Sequence, residues 1–136
     1  MKNILAVIPA RGGSKGIPRK NIVKINDRPL IDYTIQAALQ VSRINHVIVS
    51  TEDEEIASIS RGLGAEVPFM RPNHLAVDQA QSAPVVIDAL YRMEEINNIK
   101  YDAVLMLQPT SPLRTSKHIE KALDLFFSQE CDSVVS

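Results

Sequence analysis

One cysteine, no tryptophan and an aromatic share of 4% define this 136-residue chain first by what it does without. A lone Cys131 excludes an intrachain disulfide framework, and the absence of paired Cys or Cys/His spacing argues against a structural zinc site. So few aromatic rings leave little for a base-stacking platform, which argues against single-stranded nucleic acid. A formal net charge of −1 provides no general basic field for a duplex. No apolar run reaches membrane-spanning length, and no long apolar segment precedes a small-residue cleavage site at the N-terminus. The expected setting is a reducing cytoplasm, with neither nucleic acid nor membrane as partner. His46, His74 and His118 are scattered and form no Ser/His/Asp or Cys/His arrangement.

What remains is an ordinary globular composition, 45% hydrophobic and 23% charged, sufficient for one domain over residues 1–136 with a real core. The charge is unevenly spread. Residues 1–31 carry seven Lys or Arg against one acid, Asp27, and the rest of the chain is net acidic. The basic excess centres on Arg11, Lys15, Arg19 and Lys20, interleaved with Gly12, Gly13 and Gly16. This stretch directly follows the apolar run Ile4-Leu5-Ala6-Val7-Ile8. A buried strand feeding a glycine-rich, cationic loop suits anion binding. Glycine lets backbone N–H groups approach phosphate oxygens, and Lys and Arg add charge and donors. Pro9 and Pro18 stiffen the two ends. The alternative is a surface turn with solvated charges. The stretch is neither a Walker A motif nor a Gly-x-Gly-x-x-Gly fingerprint.

Strand and helix patterns alternate along the chain. Asn3 to Pro9 reads as a strand buried on both faces. Helical spacing covers Pro29 to Val41, with Pro29 near the first turn. His46 to Ser50 is a second β-branched run. Thr51 is expected to cap a helix from Glu52 to Leu63, closed by Gly64. Glu66 to Met70 is expected to be a short strand. Ser82 to Asn97 and Ser116 to Phe127 are helical in pattern, and Ala103 to Leu107 and Cys131 to Ser136 strand-like. The alternation predicts a three-layer, doubly wound α/β sheet, mostly parallel and Rossmann-like. In such sheets ligands sit beyond the carboxyl ends of the strands. Three polar loops, 9–21, 71–82 and 108–114, are expected to open on that one edge. The chain ends inside a strand-like run, so it is expected to be the N-terminal portion of a longer protein.

The second loop carries Arg71, Asp78, Ala80 and Ser82. It reads either as a surface that recognises a base or sugar edge, or as helix capping. The third, Gln108-Pro109-Thr110-Ser111-Pro112-Leu113-Arg114, is a rigid loop with amide, hydroxyl and guanidinium groups. It suits a substrate pocket, or a turn that caps the following helix. Metal-ligating acids in these loops are few, chiefly Asp78.

Taken together, IPARGGSKGIPRKN at 8–21, RPNHLAVDQAQS at 71–82 and LQPTSPLR at 107–114 resemble the acylneuraminate cytidylyltransferases, the CMP-sialic acid synthetases. The resemblance covers the whole chain. It implies the nucleotide-diphospho-sugar transferase version of the α/β fold, in truncated form. It implies CTP and a nine-carbon 2-keto sugar acid as substrates, with CMP-sugar and pyrophosphate as products, in cell-surface polysaccharide biosynthesis. Arg11 and Lys20 would be the catalytic cations, Lys20 near the α-phosphate and leaving group. Nucleotide contacts would come from Arg11, Gly12, Gly13, Ser14, Lys15, Lys20 and Asn21. Arg71, Ala80 and Ser82 would read cytosine, Ala80 through its backbone. Gln108, Thr110 and Ser111 would bind the sugar acid. Mg²⁺ is implied on the phosphates, with its aspartate ligands expected beyond residue 136. Full-length members are expected to be homodimers. A chain lacking the metal-binding half is expected to bind CTP weakly without turnover. The alternative is a non-catalytic nucleotide- or phosphate-binding module.

Overall fold

Ile4 through Ile8 are each no more than 1% exposed, as a strand covered on both faces requires. In the computed structural model, which describes residues 3–10, 24–25, 27–70, 82–108 and 115–128, this run is the central strand β1 (Ile4–Pro9). It pairs in parallel with β4 (His46–Ser50) on one side and β5 (Ala103–Met106) on the other, giving the order β4-β1-β5. The register sets Leu5 opposite His46 and Val104, and Val7 opposite Ile48 and Met106.

Side-chain alternation divides the core in two. Ile4, Ala6 and Ile8 of β1, with Val47 and Val49 of β4, face one cluster. That cluster is completed by α1 (Leu30–Leu39), α2 (Glu54–Gly62) and α4 (Ser116–Ser128), through Ile31, Ile35, Ile56, Ile119 and Leu123. Leu5, Val7 and Ile48 face the other way, onto Ala89 and Met93 of α3 (Ser82–Asn97). Helices therefore cover both faces, as the alternating sequence pattern predicts. No helix among the described residues is long and apolar enough to cross a membrane.

Several local expectations are corrected. Helix α2 begins two residues later than predicted, and Asp53 caps it, its Oδ1 accepting from the N–H groups of Glu55 and Ile56. Thr51 is fully buried, and its hydroxyl accepts from Asp53 N–H, so it shapes the turn that presents the cap. The predicted strand 66–70 reduces to one parallel bridge, Ile48 to Glu66. Pro68 has no N–H to extend the ladder. A small antiparallel ribbon, β2 (Lys24–Ile25) with β3 (Arg28–Pro29), has no counterpart in the sequence reading. The strand expected at 131–136 lies outside the described residues.

The end of α2 follows the expected pattern in detail. Gly64 has φ +106°, Gly64 N–H donates to Arg61 O, and Ala65 N–H donates to Ser60 O. These are the two reversed hydrogen bonds of a Schellman stop.

Candidate functional site

Neighbouring parallel strands bring distant sequence together at their carboxyl ends. Leu107 N–H donates to Val7 O at 2.9 Å, and Ala10 N–H donates to Ser50 O at 2.9 Å. The segment leaving Ala10 and the segment leaving Gln108 thus start from adjacent strands at one sheet edge. The chain at Glu66 runs parallel to β4, and so heads for that same edge before residue 71.

The helices return from there. Beyond α3, Asn97 Nδ2 donates to Tyr101 OH, and Asp102 N–H donates to Asn3 O at the amino edge of the sheet. The α3 N-terminus at Ser82 therefore lies toward the carboxyl edge. In α4, Asp124 meets Arg43 at 2.6 Å in the turn that leads into β4, so the α4 N-terminus also points to the carboxyl edge. There Thr115 Oγ1 accepts from His118 N–H at 3.3 Å, and Thr115 N–H lies 3.4 Å from His118 Nδ1. This reciprocal cap is made by Thr115, whereas residues 109–114, where the sequence also allows a capping turn, lie outside the described residues.

The first turns of these helices differ in charge. α1 carries Asp32, and α2 carries Glu54 and Glu55, whereas α3 and α4 carry no acid there. Partial positive charge at the starts of α3 and α4 is left uncompensated by first-turn carboxylates, which favours an anion nearby. Sequence reading missed this asymmetry, although Ser82-Ala83-Pro84 and Ser116-Lys117-His118 display it once the helix starts are known.

Of the sequence-predicted site residues, Gln108 is half-buried two residues after the end of β5, and its Nε2 lies 3.9 Å from Met106 Sδ. Ser82 is the first residue of α3. Arg11, Gly12, Gly13, Ser14, Lys15, Lys20 and Asn21 lie outside the described residues, as do Arg71, Ala80, Thr110 and Ser111. Among the described residues no group of three His, Cys, Asp or Glu side chains is placed to hold a metal ion.

One cation–carboxylate pair borders the edge. Arg28, the residue before Pro29 and α1, places Nε 2.7 Å from Asp32 Oδ2 in the first turn of that helix. The hydrogen bond that Arg28 donates to Asp32 is the main influence that raises the Arg28 guanidinium above its ordinary pKa. The guanidinium carbon also sits 4.2 Å from the Tyr33 ring centroid. Arg28 and Tyr33 line a cleft of about 220 Å³ between α1 and the start of α4, with Gln36, Gln40, Thr115 and Ser116.

Comparison with known proteins places this architecture. A family model described as cytidylyltransferase matches residues 5–136. A CMP-N,N'-diacetyllegionaminic acid synthase of Legionella pneumophila subsp. pneumophila is 43% identical over 122 residues, covering 90% of this chain and 52% of that protein. A pseudaminic acid cytidylyltransferase of Campylobacter jejuni subsp. jejuni is 42% identical over 130 residues, covering 96% of this chain and 55% of that protein. The chain thus spans about half the length of these relatives. Among solved structures, a CMP:2-keto-3-deoxy-manno-octonic acid synthetase complexed with CTP shares the fold, with a TM-score of 0.80 and 23% identity. That match covers 96% of this chain and 49% of the other.

Proposed function

The chain belongs to the cytidylyltransferase family, and from that premise we propose that the protein activates a nine-carbon 2-keto sugar acid with CTP. The anomeric C2 hydroxyl of the sugar attacks the α-phosphorus in line. The new C2–O–P bond forms as the Pα–O bond to the β-phosphate breaks, the hydroxyl proton is lost, and pyrophosphate leaves. Such a reaction asks the protein mainly for positioning and charge neutralisation.

The observation that carries this reading is the adjacency of β1 and β5. It starts the cationic segment after Ala10 and the Gln108 segment side by side, as joining a triphosphate to a second substrate requires. In this reading Arg11, Lys15 and Lys20 neutralise the phosphates, with backbone donors from Gly12, Gly13 and Ser14. Lys20 balances charge near the scissile bond, and Asn21 orients the nucleotide. Arg71, Ala80 and Ser82 recognise cytosine. Gln108, Thr110 and Ser111 hold the sugar acid. Mg²⁺ is the natural companion of CTP, but the described residues do not assemble a ligand set for it, and no step here is routed through it. The setting proposed is the cytoplasm, with a homodimer as the assembly of the whole enzyme.

Pyrophosphate release tests the reading, with CTP, ATP, GTP and UTP each paired with N-acetylneuraminic, legionaminic and pseudaminic acids. In the full-length enzyme turnover is expected with CTP and at least one of these acids, whereas residues 1–136 alone are expected to bind CTP weakly without turnover. Equal use of all four nucleotides would remove the roles given to Arg71 and Ser82. CTP binding by the full-length protein without turnover on any acid would favour a nucleotide-binding module.

A further inference from the structure

The ribbon β2–β3 is two residues wide on each side, too short to hold its place by its own ladder. Its turn includes Asp27 at φ +66°, a left-handed conformation that Asp tolerates better than most residues. What fixes it is the contact with α1. Arg28 folds forward over the first turn of the helix, donating from Nε to Asp32 Oδ2 at 2.7 Å and covering the Tyr33 ring at 4.2 Å.

Asp32 is a demanding partner. Its side chain is 10% exposed, whereas that of Arg28 is 43% exposed. The second oxygen, Oδ1, is buried with no hydrogen-bond partner among the described residues. A carboxylate so placed depends heavily on Arg28, its one cation among the described residues, and the geometry of the pair is correspondingly constrained. Leu30 and Ile31, the first two residues of the helix, are 7% and 0% exposed, so the platform beneath the pair is rigid core.

The ribbon is the downstream anchor of the cationic segment. The upstream anchor is Ala10, hydrogen-bonded to Ser50. Lys24 is paired with Pro29 at the other end. Asn21 and Lys20 precede Lys24 by three and four residues, so Lys20 is tethered within about 14 Å of that anchor. α1 runs from the carboxyl edge toward the turn entering β4, which puts its first turn and the clamp at the edge where the nucleotide is proposed to bind.

We infer that Arg28, acting through Asp32, is a positioning residue for the phosphate-binding segment. It locks the ribbon to α1 and so sets where Lys20 and Asn21 re-enter the site. The inference rests on the proposed reading of residues 11–21 as the triphosphate segment. Arg28 itself touches no substrate in this scheme, so its loss acts on phosphate recognition and leaves recognition of cytosine in place.

Titration calorimetry with cytidine, CMP, CDP and CTP on the intact protein tests this, using wild type, Lys20→Ala, Arg28→Ala, Arg28→Lys and the double variant Arg28→Met with Asp32→Leu. The double variant replaces the pair with apolar groups and so removes the geometry without stranding a buried charge. Thermal melts accompany each titration. The expected result is that Arg28→Ala and the double variant lose about tenfold or more of CTP affinity. Cytidine affinity should stay within about twofold, CMP should lose less than CTP, and Arg28→Lys should be intermediate. A double variant that melts like wild type and keeps wild-type CTP affinity overturns the inference while the phosphate-segment reading stands. Wild-type protein that fails to bind CTP, or Lys20→Ala that binds it unchanged, brings down that reading and the inference with it.

Discussion

A methyl group placed on Gly64 would stand 3.0 Å from Leu39 Cδ1. The stop of α2 is thereby pressed against the end of α1, and two demands meet at one residue, a left-handed φ and a close neighbour.

Gly64→Ala is therefore expected to destabilise the protein by about 1–2 kcal/mol, chiefly through the φ of +106°. Urea unfolding should show a lower midpoint with an unchanged slope. Wild-type stability in this variant would mean that the stop rearranges freely.

The cap of α2 offers a second test. Asp53 accepts two backbone hydrogen bonds at the helix start, whereas Thr51 accepts one from Asp53 itself. Asp53→Ala should cost about 1 kcal/mol, and Asp53→Asn much less, because Asn remains a good cap. Chemical denaturation at neutral pH separates the two variants.

In the full-length enzyme, Lys20→Ala is expected to lower kcat for pyrophosphate release by about 100- to 1,000-fold, the usual consequence of removing one donor aimed at developing charge, the role proposed for Lys20. The thermal midpoint should stay at its wild-type value. A parallel loss of melting temperature and activity would point to a structural lysine instead.

Burial raises the Tyr101 phenol above its usual pKa, opposed by the hydrogen bond from Asn97 and reinforced by Glu66 and Glu94. The native state then keeps this proton where the unfolded chain has lost it. The associated stability is fully present below about pH 10, and drains away as pH climbs through the native value. Unfolding free energies measured from pH 8 to 11 should fall less steeply for Tyr101→Phe than for wild type. Coincident alkaline limbs would refute the assignment.

Much of this fold was legible because burial and periodicity agree. β1 and β4 are short apolar runs covered on both sides, and α3 occupies Ser82 to Asn97 as its spacing predicts. Legibility failed where one local group decides the outcome. Apolar residues after Glu66 suggested a strand, but Pro68 cannot donate and only Glu66 pairs. Thr51 and Asp53 are both good caps, and sequence alone does not rank them. Two-residue strands such as Lys24–Ile25 are too short to show a period. The candidate site was read from motifs. The structure supplies the strand ends and helix starts around them, while most of the proposed contact residues lie outside the described residues.

The order β4-β1-β5 also bears on how the molecule is made. Pairing Leu5 with His46 closes a loop of about 40 residues, whereas pairing Ile4 with Ala103 closes one of about 100. Such long-range parallel pairing is slow, because chain entropy is lost before the contacts form. β1 and β4 are thus expected to join first, with α1 across them, and β5 to dock later. Gln108 arrives only with that last strand, so the edge proposed to bring nucleotide and sugar together is completed near the end of folding.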